Sequence, residues 1–332
     1  MKAKSILSFI VVILVLSSYL LSEMIVYADM YTPLTVGDTG KNISSDSAGD
    51  ISCGIMFEPT LKIKSDYSYD KSFNIEILSS NTCTNSTLYD YIVSVVMSEM
   101  PYTFEKEALK AQAVATRTYT LKLFEDESRH KYASVCTDPS HCSAALNREA
   151  YIKKYGEDAY NKAYAAVSAA VDETDGIVIK YDGELCTAVY HSSSYGTTES
   201  SYNLWGSYTP YLLSVKTPEN ISPQCVTVSA KALNAASAYD VSVKYNDTGR
   251  CSYIVVNDNE IKSSKLRSML GLKSSKFDLK KKGNELEFTV YGYGHGIGMS
   301  QYGANEMAKS GYDYKEILTH YYTGVEVVNV IP

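Results

Sequence analysis

The chain has 332 residues, with 31 Lys or Arg against 38 Asp or Glu, a formal net charge of −7 and a pI near 5.4. That balance argues against a nucleic-acid binder, whose surface would be basic, while the length is ample for a buried core. Tyrosine is abundant, 30 residues against 7 Phe and 1 Trp; phenol rings can stack on sugar faces, although tyrosine is also ordinary half-buried packing.

Lys2 and Lys4 precede an apolar run from Ile6 to Leu21, which falls short of the ~20 residues of a bilayer span unless Met24 to Tyr27 extends it. The basic flank keeps the N-terminus in the cytoplasm. Val26-Tyr-Ala28 also fits a signal cleavage site, so residues 1–28 read as a transmembrane anchor or as a cleaved signal. Either way the rest works beyond the cytoplasmic membrane. Residues 29–58 read as a polar tether and residues 59–332 as one large globular region.

Leu61 to Leu78 alternates loosely and predicts a pair of strands. Thr87, with Asp90 three residues later, predicts a helix start. Ile92, Val95, Val96 and Met100 recur at helical spacing until Pro101 forbids continuation. Glu99 falls in the last turn beside Met97 and Met100, where the negative helix end and the loss of water raise its pKa. A carboxylic acid still protonated near neutral pH is equipped to be a general acid, whereas an isolated Glu-Met-Pro is more often a surface carboxylate. A second helix is predicted from Glu105 through Glu125. Its small side chains, among them Ala108, Ala111, Ala113 and Ala115, predict close packing on nearly every face. Lys110 and Arg117 lie two turns apart on one face, placed to bind polar substrate groups or steady nearby carboxylates.

His130, Cys136, His141 and Cys142 offer two imidazoles and two thiolates, the donors that zinc prefers. The spacing is not that of a standard zinc finger, and a Cys136–Cys142 disulfide is the rival reading in an oxidising compartment. Four protein ligands would leave no position for water, which makes the role of the metal structural. Further on, Tyr160 to Asp172 predicts an Ala-rich helix, Gly176 to Gly183 a strand and turn, and Leu185 to His191 the returning strand. Residues 218–282 are more polar and basic and read as a smaller lobe, in which Cys225 and Cys251 either pair or remain thiols. A strand from Glu285 to Tyr291 enters a loop where Gly292, Gly294, Gly296 and Gly298 alternate around His295. This is no phosphate loop, because the Gly-Lys-Ser/Thr ending is missing. A helix near Ser300 to Lys309 ends at Gly311. The fold class expected is α+β, a bilobed mixed α/β catalytic region behind an N-terminal anchor.

Several segments, in order over roughly residues 59–332, together resemble the stage II sporulation protein D family. They are Tyr91–Pro101, Glu107–Tyr119, His191-Ser-Ser-Ser-Tyr-Gly196-Thr-Thr-Glu199, Pro210–Lys216, Leu266–Leu272 and Gly294-His-Gly-Ile-Gly-Met-Ser-Gln-Tyr-Gly-Ala304. The resemblance implies a lytic transglycosylase acting on peptidoglycan glycan strands, with Glu99 as the acid. It also implies substrate contacts among Lys110, Arg117, His191, Thr198 and Tyr211, with His295, Ser300 and Gln301 lining the cleft or locking it together. Leu213 stands where many relatives carry Lys, which removes one expected polar contact. The cysteines lie outside the shared motifs, so zinc would belong to only part of the family. Also implied are a single-pass membrane anchor with the enzyme outside, in a sporulating mother cell and facing the intermembrane space. The partners implied are a stem-peptide amidase and a membrane protein of the engulfment complex, with no nucleic acid and no organic cofactor. Two rivals stand beside this reading. One is a zinc hydrolase built on His130, Cys136, His141 and Cys142; the other is a silent glycan-binding module.

Overall fold

Residues 68–79, 82–125, 130, 133–139, 141–219 and 221–330 are described in a computed structural model. The expected anchor or signal (1–28) and tether (29–58) lie outside the described residues. Among the described residues no helix is long and apolar enough to cross a membrane. The helices are α1 Tyr69–Ser72, α2 Leu88–Glu99, α3 Lys106–Leu123, α4 Arg148–Tyr155, α5 Glu157–Asp172, α6 Ser201–Trp205, α7 Ser263–Leu270, α8 Gln301–Lys309 and α9 Tyr314–Tyr321. The strands are β1 Asn74–Ser79, β2 Thr82–Thr87, β3 Val135–Cys136, β4 Ile177–Tyr181, β5 Glu184–Leu185, β6 Tyr190–His191 and β7 Gln224–Ser229. They continue as β8 Val241–Tyr245, β9 Cys251–Val256, β10 Asn259–Lys262, β11 Lys276–Lys282, β12 Glu285–Tyr291, β13 Met299–Ser300 and β14 Glu326–Asn329. Helices and small sheets mix in one α+β arrangement.

α2 begins as its residues dictate. Thr87 Oγ1 accepts from the Asp90 N–H at 3.1 Å, and Met100 turns extended ahead of Pro101. Its apolar stripe, Leu88, Ile92, Val95 and Val96, is completely buried. α3 is packed on all sides, against α2, α5, α8, α9 and β4. Ala108, Ala111, Ala113 and Ala115 have no exposed surface, and these small side chains are what let five neighbours approach one helix. Of the strand pair expected over 61–78, residues 61–67 lie outside the described residues, and one strand, β1, falls on the rest. β1 and β2 pair antiparallel from Asn74↔Thr87 to Ser79↔Thr82, and α1 occupies the stretch just before them. α4 was not foreseen; Asn147 caps it by accepting from the Ala150 N–H at 2.8 Å.

β4 and β5 form a hairpin through Asp182 and Gly183, both with positive φ, as a type I′ turn requires. The return strand then stops early. Beyond Cys186, whose N–H still donates to the Ile179 carbonyl, the chain leaves β4, whose other edge is taken by β14, and Tyr190–His191 pairs in parallel with Met299–Ser300. This exchange of partners brings the loop after His191 against the glycine loop.

A second apolar cluster gathers Val241, Ile254, Leu266, Phe277, Phe288 and Val290 between the sheets β10-β9-β8 and β11-β12-β7, with α7. On β12 Leu286, Phe288 and Val290 point into this core while Glu285 stays exposed. The second core therefore reaches past residue 282. Cys225 lies exposed on β7 and Cys251 buried on β9, in different sheets and not joined as a disulfide.

Candidate functional site

Glu99 ends α2 with part of its surface open, yet its carboxyl is closely surrounded by protein. Loss of water raises its pKa; a hydrogen bond from Gln301 and one from the Ala144 N–H pull the other way. Gln301 Nε2 donates to Glu99 Oε2 at 3.0 Å from the first residue of α8. Tyr190 lies on the other side. Its phenol is held far above its usual pKa by burial first and by the Glu99 charge second, and it shares a 3.0 Å hydrogen bond with Ser143 Oγ.

Two serines of α2 hold the segment that supplies Ser143 and Ala144. Ser94 Oγ donates to the Leu146 carbonyl at 2.7 Å, and the Leu146 N–H donates to Ser98 Oγ at 3.0 Å. Farther along the same helix, Tyr91 donates to the Cys136 carbonyl at 3.2 Å. The acid and the Cys/His segment are thus strapped to one helix.

Along that segment the donor atoms of His130, Cys136, His141 and Cys142 all lie within 4.8 Å of one another. His130 Nε2 stands 3.2 Å from Cys142 Sγ, while His141 Nδ1 stands 3.6 Å from Cys136 Sγ and 3.7 Å from Cys142 Sγ. A zinc tetrahedron with ordinary Zn–N and Zn–S bonds has donors roughly 3.3–3.8 Å apart, and these three separations lie close to that range. Cys136 and Cys142 are not joined as a disulfide.

The other residues singled out in the sequence divide. Ser300 is buried and caps α8 by accepting from the Gly303 N–H at 3.2 Å. His191 is buried; its Nδ1 donates to the Ile297 carbonyl at 3.0 Å, leaving Nε2 to accept from Ser194 Oγ at 2.5 Å. Its ring centroid is 5.6 Å from that of His295. Burial lowers both pKa values, His295 to about 4 and His191 well below its usual range. These neutral imidazoles brace the loop after His191 against the glycine loop. A Cβ at Gly298 would run into the Val189 carbonyl, so only glycine allows the β6–β13 pairing that holds the wall together.

Four expected contacts are engaged elsewhere. Arg117 has no exposed surface; Nε donates to Asp70 Oδ1 at 2.8 Å, Nη2 to Asp70 Oδ2 at 2.5 Å and Nη1 to the Ile177 carbonyl at 3.0 Å. It is an internal counter-ion that no substrate can reach. Lys110 pairs with Glu107 at 2.7 Å and Glu173 at 2.9 Å. Thr198 is fully buried and bridges to Val215, whose N–H donates to its hydroxyl at 2.8 Å. The Tyr211 hydroxyl accepts from the Thr187 N–H at 2.9 Å. Residues not foreseen at the site are Ser143, Ala144 and Tyr190. Beside it, Phe104 and Tyr302 form an edge-to-face pair with centroids 5.0 Å apart.

A sequence profile described as "Stage II sporulation protein" matches residues 79–181. The chain is 33% identical over 284 residues to stage II sporulation protein D of Bacillus amyloliquefaciens, covering 81% of each chain. It is also 33% identical over 264 residues to the Bacillus subtilis protein of that name, covering 75% of this chain and 76% of the relative. A third relative, the amidase enhancer of Bacillus subtilis, is 29% identical over 301 residues, which cover 71% of this chain and 40% of that protein.

Proposed function

Because the chain belongs to the stage II sporulation protein D family, we propose that it is a lytic transglycosylase cutting the glycan strands of peptidoglycan during sporulation. The observation that carries this reading is Glu99, a carboxyl with its pKa raised by burial and its direction set by Gln301. In the proposed reaction Glu99 first protonates the glycosidic oxygen between N-acetylmuramic acid and N-acetylglucosamine. The carboxylate left behind then takes the proton of the muramic 6-hydroxyl, whose oxygen attacks the anomeric carbon and closes the 1,6-anhydro ring. One carboxyl serves both halves because it loses a proton in the first and regains it in the second. Among the described residues its polar neighbours are an amide, a backbone N–H and a phenol. Ordinary glycosidases need a second carboxylate to activate water or attack the sugar, so these neighbours favour the internal nucleophile. Phe104 and Tyr302 offer aromatic surface for a sugar face.

His130, Cys136, His141 and Cys142 would hold a zinc ion whose four protein ligands leave no position for water; such an ion braces the Ser143–Ala144 segment. The remaining parts of the proposal follow the family. An N-terminal anchor or signal within residues 1–28, a tether over 29–58 and a catalytic region over 59–332 would place the enzyme outside the mother-cell membrane. Peptide-stripped glycan strands would be its substrate, with a stem-peptide amidase and a membrane protein of the engulfment complex as partners. One relative, the amidase enhancer, bears a name that fits an amidase link.

Mass spectrometry of products from peptide-free glycan strands tests the reading. The expected ends are 1,6-anhydro-N-acetylmuramic acid, about 18 Da lighter than hydrolytic ends because no water is added. Glu99→Gln should lower cleavage by at least ~100-fold while strand binding survives, the scale of losing a general acid. Reducing ends labelled from heavy-oxygen water would make the protein a hydrolase, and full activity in Glu99→Gln would remove Glu99 from the chemistry.

A further inference from the structure

Four hydrogen bonds converge on the carboxylate of Glu219, a residue that carries no role in the reaction above. Its Oε1 accepts from the Ser194 N–H at 2.6 Å, the Tyr195 N–H at 3.1 Å and Ser300 Oγ at 2.9 Å. Its Oε2 accepts from Thr217 Oγ1. Glu219 is 4% exposed, and a carboxylate is kept out of water only where such partners compensate for lost hydration.

The Ser300 bond leads to the acid. Ser300 Oγ has a single proton, which goes to Glu219, while its lone pairs face the Gly303 N–H as the cap of α8. A Cβ on Gly303 would stand 2.7 Å from Glu219 Oε2, so the first turn of α8 lies directly against the carboxylate. Gln301 is the next residue, and its amide is the one that donates to Glu99.

The opposite charge comes from the second core. Arg250, 1% exposed, immediately precedes β9. Its Nη2 donates to the Ser194 and Thr197 carbonyls at 3.3 and 3.4 Å, and its Nη1 to Ser274 Oγ at 3.1 Å. A Cβ on Gly296 would come within 2.6 Å of the guanidinium carbon, so the cation also lies against the glycine loop. Glu199 and Glu219 both supply charge that favours it. Ser194 is therefore gripped twice, its N–H by the carboxylate and its carbonyl by the guanidinium.

We propose that Glu219 is a positioning residue for cleavage by Glu99. With Arg250 as counter-ion it fixes the Ser194–Tyr195 backbone and the Ser300 cap, and through that cap the Gln301 amide that orients the Glu99 carboxyl. The proposal rests on Glu99 being the acid. It gives the second core a part in the reaction without any contact to the scissile bond.

The test is a double-mutant cycle on peptide-free glycan strands together with a crystal structure. Glu219→Leu removes all four bonds at similar volume. It should lower kcat on the order of 10²-fold with KM unchanged, the scale of a small misplacement at a catalytic group. Glu219→Gln keeps an oxygen for Ser194, Tyr195 and Ser300 and should recover most of the loss. Adding Gln301→Leu to Glu219→Leu should cost no more than the larger single change, since coupled residues are not additive. In the Glu219→Leu crystal structure the Gln301 amide should have left Glu99. Additive losses, a raised KM at full kcat, or Gln301 still bonded to Glu99 would each overturn the proposal. Should Glu219→Leu fail to fold, Ser300→Ala leaves the carboxylate and its two backbone bonds in place and carries the same cycle, the same structure and the same outcomes. A wild type that cuts no strands would instead defeat the assignment of Glu99, and the crystal structure would still decide whether Glu219 positions Gln301.

Discussion

Burial acts on three titrating groups of the cleft and moves each toward its neutral form. Glu99 goes up, His295 goes down to about 4, and His191 goes well below its usual range. The consequence for stability has a definite sign. Between pH 6.5 and about 4 an unfolded chain protonates at His295 while the folded chain does not, so stability complete above pH 6.5 is lost as the pH falls through that window. His191 adds to the loss in the same direction. Glu99 works in the other sense, because its raised pKa favours the folded state on acidification. Melting temperatures of wild type and His295→Asn between pH 7.5 and 4.5 separate the two. The wild type should lose more on acidification than the variant, and equal losses would show that His295 is not held neutral. The place of Glu99 at a helix end was legible because Pro101 stops α2 within two residues, while its reading as the acid came from the family resemblance. Its partners were not, since Gln301 lies 202 positions away and Ala144 acts through a backbone N–H that any residue carries. The surroundings of Thr198 were hidden for the same reason: a hydroxyl in a motif looks alike whether it faces a ligand or, as here, the backbone of Val215.

Elements such as α2, α3 and β12, whose signals are local, were read from their own residues, although α4 with its local Asn147 cap was missed; those defined by distant partners were not read. Thr87, Pro101 and the alternation of β12 mark their own ends. β6 has two residues and exists only through Met299–Ser300, so nothing in its own sequence announces where it pairs. α3 combines both cases. Its alanines foretold tight packing, while that same packing turned Arg117 inward to Asp70, a residue of α1. A buried pair deprived of one member costs about 3–5 kcal/mol, because the remaining charge is stranded. Arg117→Met should therefore melt well below wild type, and Arg117→Met with Asp70→Leu should recover most of the difference. Protein of the single variant kept folded at low temperature should still cleave with near-normal KM. A raised KM at unchanged stability would return Arg117 to the substrate.

At the scale of the molecule, the Cys/His segment and the acid share α2, which makes the proposed ion a determinant of both stability and rate. Purified protein should carry about one zinc per chain. Cys136→Ser should lose it, with melting temperature and cleavage falling together and the 1,6-anhydro product unchanged. A Cys136–Cys142 bridge in protein isolated without oxidation would end the zinc proposal. The second core showed in composition as a polar, basic stretch. Its reach to Val290 did not, because sheet membership is decided by pairing across the chain. The hydrogen bond between Glu99 and Gln301 also fixes an order of events. A chain made from its N-terminus has Glu99 early but lacks the orienting amide until Gln301, 202 positions later, has been added. Closing so long a loop is entropically unfavourable and slow relative to forming α2 or α3. The helices that carry the two partners can form locally, while their pairing has to wait for the distant segment. A carboxyl made early is thus left without its orienting amide until α8 has been added.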